Sequence, residues 1–324
     1  MLVEVVLTPD LFSGDDDVLR ERLRDLADIL LPRRSVPIVD ISQLGEHNWQ
    51  SAVGNRIVAI KNRNLQSDAK ALFDRFVDSV CVVRIPQQNS IPATESEWIA
   101  LAKQSAKQVP LDAIVTVGSQ STEQAVMAFA EFTCDEFWAR FPNPRWVERN
   151  SQAQVTALRT IAFHADWLIV RLPQLRGGSD DEIVTFNQIL ALVAKRGTSQ
   201  PRCSIELQVC QQKDIPDERL LNGIQRELQC NGSIMDVTFK LLPQKSFIDR
   251  ELLAGGWAPM PEGKRARRAR WLLTMTHVAV SSKRENISQA SPWSLFDRKH
   301  AHDRLSKLEA EPGVRLGDFV SRPR

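Results

Sequence analysis

The chain contains no tyrosine among its 324 residues, so one common catalytic nucleophile and proton donor is missing. It also lacks any apolar run of about eighteen residues, the length that a membrane-spanning helix needs. Its start, Met1 to Leu7 followed by Thr8-Pro9-Asp10, has neither the basic segment nor the cleavage site of a signal peptide. We therefore expect a cytoplasmic protein with no membrane partner.

Motifs for nucleotides and metals are missing too. No Gly-x-Gly-x-x-Gly or P-loop sequence occurs, and Gly118-Ser119-Gln120-Ser121 lacks the further glycines and the lysine of a phosphate-binding loop. The five cysteines form no Cys-x-x-Cys pair, which favours ordinary thiols over zinc or redox sites. His300 and His302 would stand about 200° apart on a helix and cannot share one ion. We expect no cofactor and no metal.

The overall charge does not point to an acidic ligand. Lys plus Arg number 42 against 40 Asp plus Glu, which gives a formal net charge of +2. With 43 % hydrophobic residues the chain can form a real core, and its length fits two domains of ordinary size. Any case for a nucleic acid must therefore come from a local patch.

Alternating strand-like and helix-like segments in the first part of the chain predict an α/β domain. Strands are expected at 2–7, 36–41, 56–60, 80–85, 113–117 and 125–132, and helices at about 15–31, 67–78 and 95–108. Pro142-Asn143-Pro144 then interrupts the pattern. We place the domain boundary there, with an N-terminal α/β domain at 1–143 and a second domain at 144–324.

The second domain is also predicted to be α/β. Strands at 166–172, 204–209 and 234–242 alternate with helices, as in a parallel sheet with right-handed crossovers. The segments 247–253 and 270–280 predict an antiparallel hairpin interrupted by a basic loop. A closing helix is expected at 293–308.

The order of these elements resembles that of a known superfamily. A helix at 155–165 leads into a strand and loop at 167–173, two further strand units follow, and Ile248-Asp249-Arg250-Glu251 precedes the strand at 271–280. This half is similar to the phospholipase D-like superfamily, in particular to small stand-alone bacterial members related to the C-terminal domain of MIT-domain proteins. The resemblance implies a phospholipase D-like α/β domain with a mostly parallel sheet and a C-terminal antiparallel hairpin.

The catalytic residues of that superfamily are missing. Its chemistry uses a histidine nucleophile with a lysine two residues later, and no His-x-Lys occurs in this chain. Ile248 stands where relatives have a histidine before Asp-Arg, and an isoleucine cannot attack phosphorus. The resemblance therefore implies a degenerate site at Asp249, Arg250 and His277. For Asp249 and Arg250, an ion pair or loop cap within the hairpin and a retained ligand-binding role both stay open.

Basic residues are concentrated just before Trp271. They are Lys264, Arg265, Arg267, Arg268 and Arg270. Guanidinium groups pair with phosphates and an indole stacks on a base, so this stretch is the strongest local indication of nucleic acid in the chain. A docking strip for a protein partner and a solvated loop are the alternatives. The resemblance also implies that Arg145, Arg149 and Arg171 join a phosphate-binding cleft beside the hairpin.

We therefore expect a non-catalytic subunit of a bacterial multiprotein complex that binds DNA, RNA or a partner protein through the groove and the basic hairpin. Because similar stand-alone proteins often occur in antiphage systems, the resemblance implies a role in antiviral defence. One alternative is a divergent nuclease or phosphodiesterase that uses His277 with Asp249 and Arg250. The other is a pure protein-interaction scaffold.

Overall fold

The structure is a computed structural model that describes residues 3–31, 36, 38–42, 48–77, 80–84, 92–107, 111–118, 125–148, 151–175, 181–196, 202–213, 215–228, 235–246, 250–259, 265–275, 290–296, 298–311 and 314–319. The chain divides after Pro142 into two compact units, Leu2–Pro142 and Asn143–Arg324. The α/β class predicted from the sequence is confirmed in both of them.

The first unit is built on a five-stranded sheet in the spatial order β3-β2-β1-β4-β5. Its strands are β1 (Val5–Leu7), β2 (Ile38–Ser42), β3 (Val80–Arg84), β4 (Ala113–Thr116) and β5 (Val126–Ala128). All neighbouring pairs are parallel. β1 and β4 are buried along their whole length, as central strands are when both faces of a sheet are covered. The strand order reverses between β1 and β4, which makes this the topological switch point.

Helices connect these strands. They are α1 (Asp16–Leu30), α2 (Asn48–Val58), α3 (Arg63–Val77), α4 (Glu95–Ala106), α5 (Phe129–Thr133) and α6 (Asp135–Ala139), with a short 3-10 helix at Pro9–Phe12. The predicted strand at 56–60 is wrong, because Arg56 lies in α2. Trp49, Val53 and Ile57 are buried at a spacing of four residues, which is the period of a helix face.

The second unit contains an eight-stranded sheet in the order β13-β9-β8-β7-β10-β11-β12-β6. Its strands are β6 (Arg145–Glu148), β7 (Trp167–Leu172), β8 (Cys203–Cys210), β9 (Met235–Leu242), β10 (Arg250–Pro259), β11 (Arg265–Met275), β12 (Ala290–Phe296) and β13 (Val314–Phe319). β7, β8 and β9 are parallel, as predicted. The outer strands add antiparallel pairs that the sequence did not predict.

The helices of this unit are α7 (Ser151–His164), α8 (Asp181–Ala194), α9 (Asp217–Glu227) and α10 (Arg298–Ala310), with a 3-10 turn at Gln244–Ser246. On one face of the sheet, α10 contributes Ala301, Leu305 and Leu308 to a core that also contains Trp167 and Leu253. Val170 and Leu252, which alternate with these strand residues, are buried on the opposite face. Both faces of the central strands are therefore covered.

Two predictions at the end of the chain need correction. The expected helix at 293–308 begins only at Arg298, because Ser291, Trp293 and Leu295 are buried in alternation and form β12. The hairpin is present as β10 and β11, but Arg265–Arg270 lies in strand β11 and not in a loop. No helix in the described ranges is long and apolar enough to cross a membrane.

Candidate functional site

The basic residues lie on a two-stranded extension of the second sheet. β10 pairs with β7 over residues 251–255, and β11 pairs with β12 over residues 272–275. Further out, residues 256–259 pair with residues 265–268, and the described part of the sheet gives neither segment a third strand. We call residues 256–259 and 265–268 the basic arm. Lys264 and the side chain of Arg265 lie outside the described part of the chain.

Arg267 joins the arm to the body of the sheet. Its Nη1 donates to Glu206 Oε2 at 3.1 Å, and its guanidinium carbon lies 5.5 Å from the centre of the Trp167 ring. Gln208 Nε2 donates to the other oxygen of the same carboxylate at 2.7 Å. The Arg267 side chain is 19 % exposed, so its charge is partly neutralised but still accessible to a ligand.

A β-bulge lies at the base of the arm. The register of β10 and β11 shifts after Ala254, and Arg270 is the extra residue on β11. A Cβ at Gly256 would lie 3.0 Å from the Arg270 guanidinium and 3.2 Å from a carboxylate oxygen of Asp166. Arg268, opposite Gly256 on the arm, is half-buried. At the base of the arm, the guanidinium group of Arg270 therefore lies close to Gly256, and Arg268 is paired with the same glycine.

The prediction that Trp271 stacks on a base is wrong. Trp271 pairs with Ala254 inside the sheet, and its side chain is 3 % exposed. Trp257, which stands opposite Arg267 on the arm, is 36 % exposed. The aromatic side chain that can meet a ligand is therefore Trp257, which the sequence analysis did not single out.

The prediction that Arg171 lines a phosphate cleft is also wrong. Its residue exposure is 0 %, and its Nη1 donates to Glu251 Oε2 at 3.1 Å. Arg304 on α10 donates to the same carboxylate at 2.6 Å through Nη2, and Glu311 lies 3.5 Å from Arg171 Nη2. Burial lowers the pKa of Arg171, and the charge of Glu251 opposes that shift. Arg171 therefore stabilises the fold and has no access to a ligand.

Arg250 forms an internal ion pair. Its Nε donates to Glu182 Oε1 at 2.6 Å, and its Nη2 donates to Gln174 Oε1 at 2.6 Å. Glu182 also accepts from the backbone N–H of Gln174 at 2.9 Å, so the three residues tie the start of β10 to the loop after β7. The ionic partner of Arg250 therefore lies on α8, whereas the sequence analysis expected an ion pair or loop cap within the hairpin. Asp249 and His277 lie outside the described residues, and so does Arg149.

The sequence analysis missed a second cluster, at the switch point of the first unit. Thr8 follows β1 and Val117 follows β4, and Glu95 Oε1 accepts from the Thr8 hydroxyl at 2.9 Å and from the Val117 amide at 2.8 Å. Crevices at the carboxyl ends of such strands are the usual ligand sites of doubly wound sheets. Because the three residues are far apart in sequence, only the strand order reveals the cluster.

The charged side chains near the switch point make contacts within the first unit. Arg56 lies 2.9 Å from Asp10 Oδ1, and Arg22 donates to the carbonyl oxygens of Asp10, Leu11 and Ser13. Burial lowers the pKa of Arg22, while the charge of Glu95 raises it. Among the described residues no three His, Cys, Asp or Glu side chains converge as a metal site would require. These contacts hold the crevice together.

Neither family models nor curated proteins identify a relative of this chain. The phospholipase D-like resemblance therefore stays a prediction drawn from the order of the elements.

Proposed function

We propose that the protein is a non-catalytic subunit of a multiprotein complex and that its basic arm binds the phosphate backbone of a nucleic acid. The observation that carries this proposal is the arm itself. Its β11 side reads Arg265-Ala266-Arg267-Arg268, and its described residues contain no acid. Guanidinium groups bind phosphate oxygens in pairs and keep their charge at any physiological pH.

The contacts of Arg171 and Arg250 support a non-catalytic role. Arg171 is fully buried against Glu251, and Arg250 is held by both Glu182 and Gln174, so the described contacts of these two arginines are internal. The missing His-x-Lys motif agrees with this arrangement. We further propose that this complex acts in antiviral defence. The support for this part is the resemblance of the chain to the phospholipase D-like superfamily.

Glu206 sets the electrostatics of the arm. Its carboxylate is the nearest described anion to Arg267, and a phosphate that binds Arg267 must compete with it. Removing this charge without changing the size of the side chain, as in Glu206→Gln, is expected to strengthen phosphate binding about two- to fivefold, the scale of a partly exposed ion pair.

Fluorescence anisotropy with labelled nucleic acid tests the proposal. The triple variant Arg265→Gln, Arg267→Gln and Arg268→Gln is expected to bind more weakly and to lower the slope of log K against log salt by up to about 0.9 per lost phosphate contact. The matched control removes three exposed arginines of the first unit, Arg20, Arg24 and Arg63. Equal slopes in the two triple variants would contradict the proposal.

The gain expected from Glu206→Gln separates binding from folding, because an unfolded variant does not bind more tightly. If Glu206→Gln loses affinity together with the triple arm variant, the Arg267–Glu206 pair is structural, and a direct phosphate contact of Arg267 is contradicted. A hydrolysis assay tests the proposal that the protein is non-catalytic. Hydrolysis of single- or double-stranded substrates that disappears in His277→Ala would overturn it.

A further inference from the structure

We infer that the ligand of the basic arm is duplex DNA and that the arm enters its major groove. This inference rests on the proposed function of the arm. It concerns the form of the nucleic acid, which the sequence left open between DNA and RNA and between single and double strands.

The first reason is the width of the arm. Residues 256–259 and 265–268 form a ribbon of two antiparallel strands, without a third strand in the described part of the sheet. Paired strands lie about 4.8 Å apart. The major groove of B-DNA, about 12 Å wide, admits an α-helix or a two-stranded ribbon. The arm therefore has the cross-section that this groove accepts.

The second reason is the distribution of charge. Successive residues of a strand point to opposite faces, so Arg267 and Arg268 carry positive charge on the two sides of the ribbon. Trp257 shares the face of Arg267, and Gly256 shares the face of Arg268. A ribbon inside a groove has a phosphate backbone on each side, so a phosphate that displaces Glu206 from Arg267 and a second phosphate near Arg268 can be bound together. A single strand running along the sheet would meet one face only.

The third reason is the lack of a stacking surface among the described residues around the arm. Proteins that hold single strands without sequence preference stack successive bases on several aromatic rings. Of the tryptophans around the arm, Trp167 is 0 % and Trp271 is 3 % exposed, which leaves Trp257 at 36 %. One half-exposed indole does not make a platform for a row of bases.

The same geometry distinguishes DNA from RNA. The major groove of A-form RNA is deep and narrow, and protein elements do not reach into it. A ribbon that depends on groove entry should therefore discriminate against duplex RNA, although both duplexes offer the same phosphate charge. A purely electrostatic arm would not discriminate in this way.

The test compares four probes of one sequence with the full-length protein: duplex DNA, single-stranded DNA, duplex RNA, and duplex DNA whose cytosines carry bulky 5-substituents that fill the major groove. The unmodified duplex is expected to bind at least about tenfold more tightly than each of the others, because only the open major groove of B-DNA admits the ribbon. A minor-groove ligand, netropsin, should leave the affinity unchanged.

Two variants distinguish the possible outcomes. If the triple arginine variant of the arm binds all four probes as well as the wild type does, the proposed function fails. If that variant weakens every probe but single-stranded DNA binds as tightly as the duplex and loses affinity in Trp257→Ala, the arm is a stacking site and only this inference is overturned. Equal binding of the groove-filled duplex would overturn it as well.

Discussion

The charge of Glu251 is expected to be a main support of the second unit. Its carboxylate accepts from Arg171 at 3.1 Å and from Arg304 at 2.6 Å. Arg171 is fully buried and also donates to the carbonyl oxygen of Ser246 at 2.5 Å. The substitution Glu251→Gln keeps the shape of the side chain and removes the charge between the two guanidinium groups.

The cost follows from the burial of Arg171. Removing one partner of a buried ion pair leaves the other charge uncompensated, which costs about 3–5 kcal/mol. Glu311, at 3.5 Å from Arg171, and the partial exposure of Arg304 place the expected value at the lower end, about 3 kcal/mol. For a unit of this size, each kcal/mol lowers the melting temperature by about 2–4 °C, so we expect a shift of about 6–12 °C.

Differential scanning calorimetry of the full chain measures this shift. Glu21→Gln is the matched control, since Glu21 lies in an exposed ion pair of α1 and should change stability by less than about 0.5 kcal/mol. The double variant Arg171→Met with Glu251→Leu removes both charges and should recover most of the loss. Equal shifts for Glu251→Gln and Glu21→Gln would refute the reasoning.

Three further predictions concern other parts of the chain. Gly255→Ala should destabilise the protein by about 3 kcal/mol, because the new Cβ would lie 2.0 Å from a backbone carbonyl oxygen, whereas Gly54→Ala, with open space inside α2, should stabilise it by about 0.5–1 kcal/mol. Burial raises the pKa of the Cys203 thiol to about 12, so iodoacetamide at pH 8 should label the exposed Cys134 and leave Cys203 unlabelled until the protein unfolds. Thr94→Ala removes half of the capping box of α4 and should cost about 1 kcal/mol.

Each of these predictions has a simple check. Denaturant unfolding measures the change in the free energy of unfolding for the two glycine variants. A change of the same sign in both would contradict the role of close packing at Gly255. Peptide mapping by mass spectrometry resolves the cysteines, and early modification of Cys203 would show that its burial is wrong. If Thr94→Ser is as stable as the wild type, the hydroxyl is the group that caps α4. If Thr94→Ala has the same free energy of unfolding as the wild type, the cap does not contribute to stability.

The regular part of the fold could be predicted because its period is visible in the sequence. β7 is a nearly continuous apolar run, and β8 and β9 largely alternate apolar with polar residues; both patterns indicate strands when they lie between helical segments. Short polar strands at the sheet edges, β6 and β13, gave no comparable pattern. The strand character of Arg265–Arg270 was hidden for a different reason, since a dense charge run usually indicates a loop.

The candidate site could be predicted only in part. The concentration of arginines was visible, but the partner of each one was not. Arg171 meets Glu251 over 80 positions, Arg267 meets Glu206 over 61, and Arg250 meets Glu182 over 68. These pairings depend on strand register and on loop packing, which no local pattern in the sequence specifies.

Arg171 is fully buried, whereas the Arg267 side chain is 19 % exposed, and this difference determines where function can be tested. Neutralising Arg171 or Arg250 removes an internal ion pair, so a loss of binding in such a variant would report on folding. Arg267 is half-buried and pairs with Glu206, whose carboxylate also accepts from Gln208. Either charge of this pair can be removed separately, by Arg267→Gln or by Glu206→Gln. Opposite effects of these two substitutions on nucleic-acid affinity, with similar effects on stability, are what a binding arm requires and what a structural ion pair cannot produce.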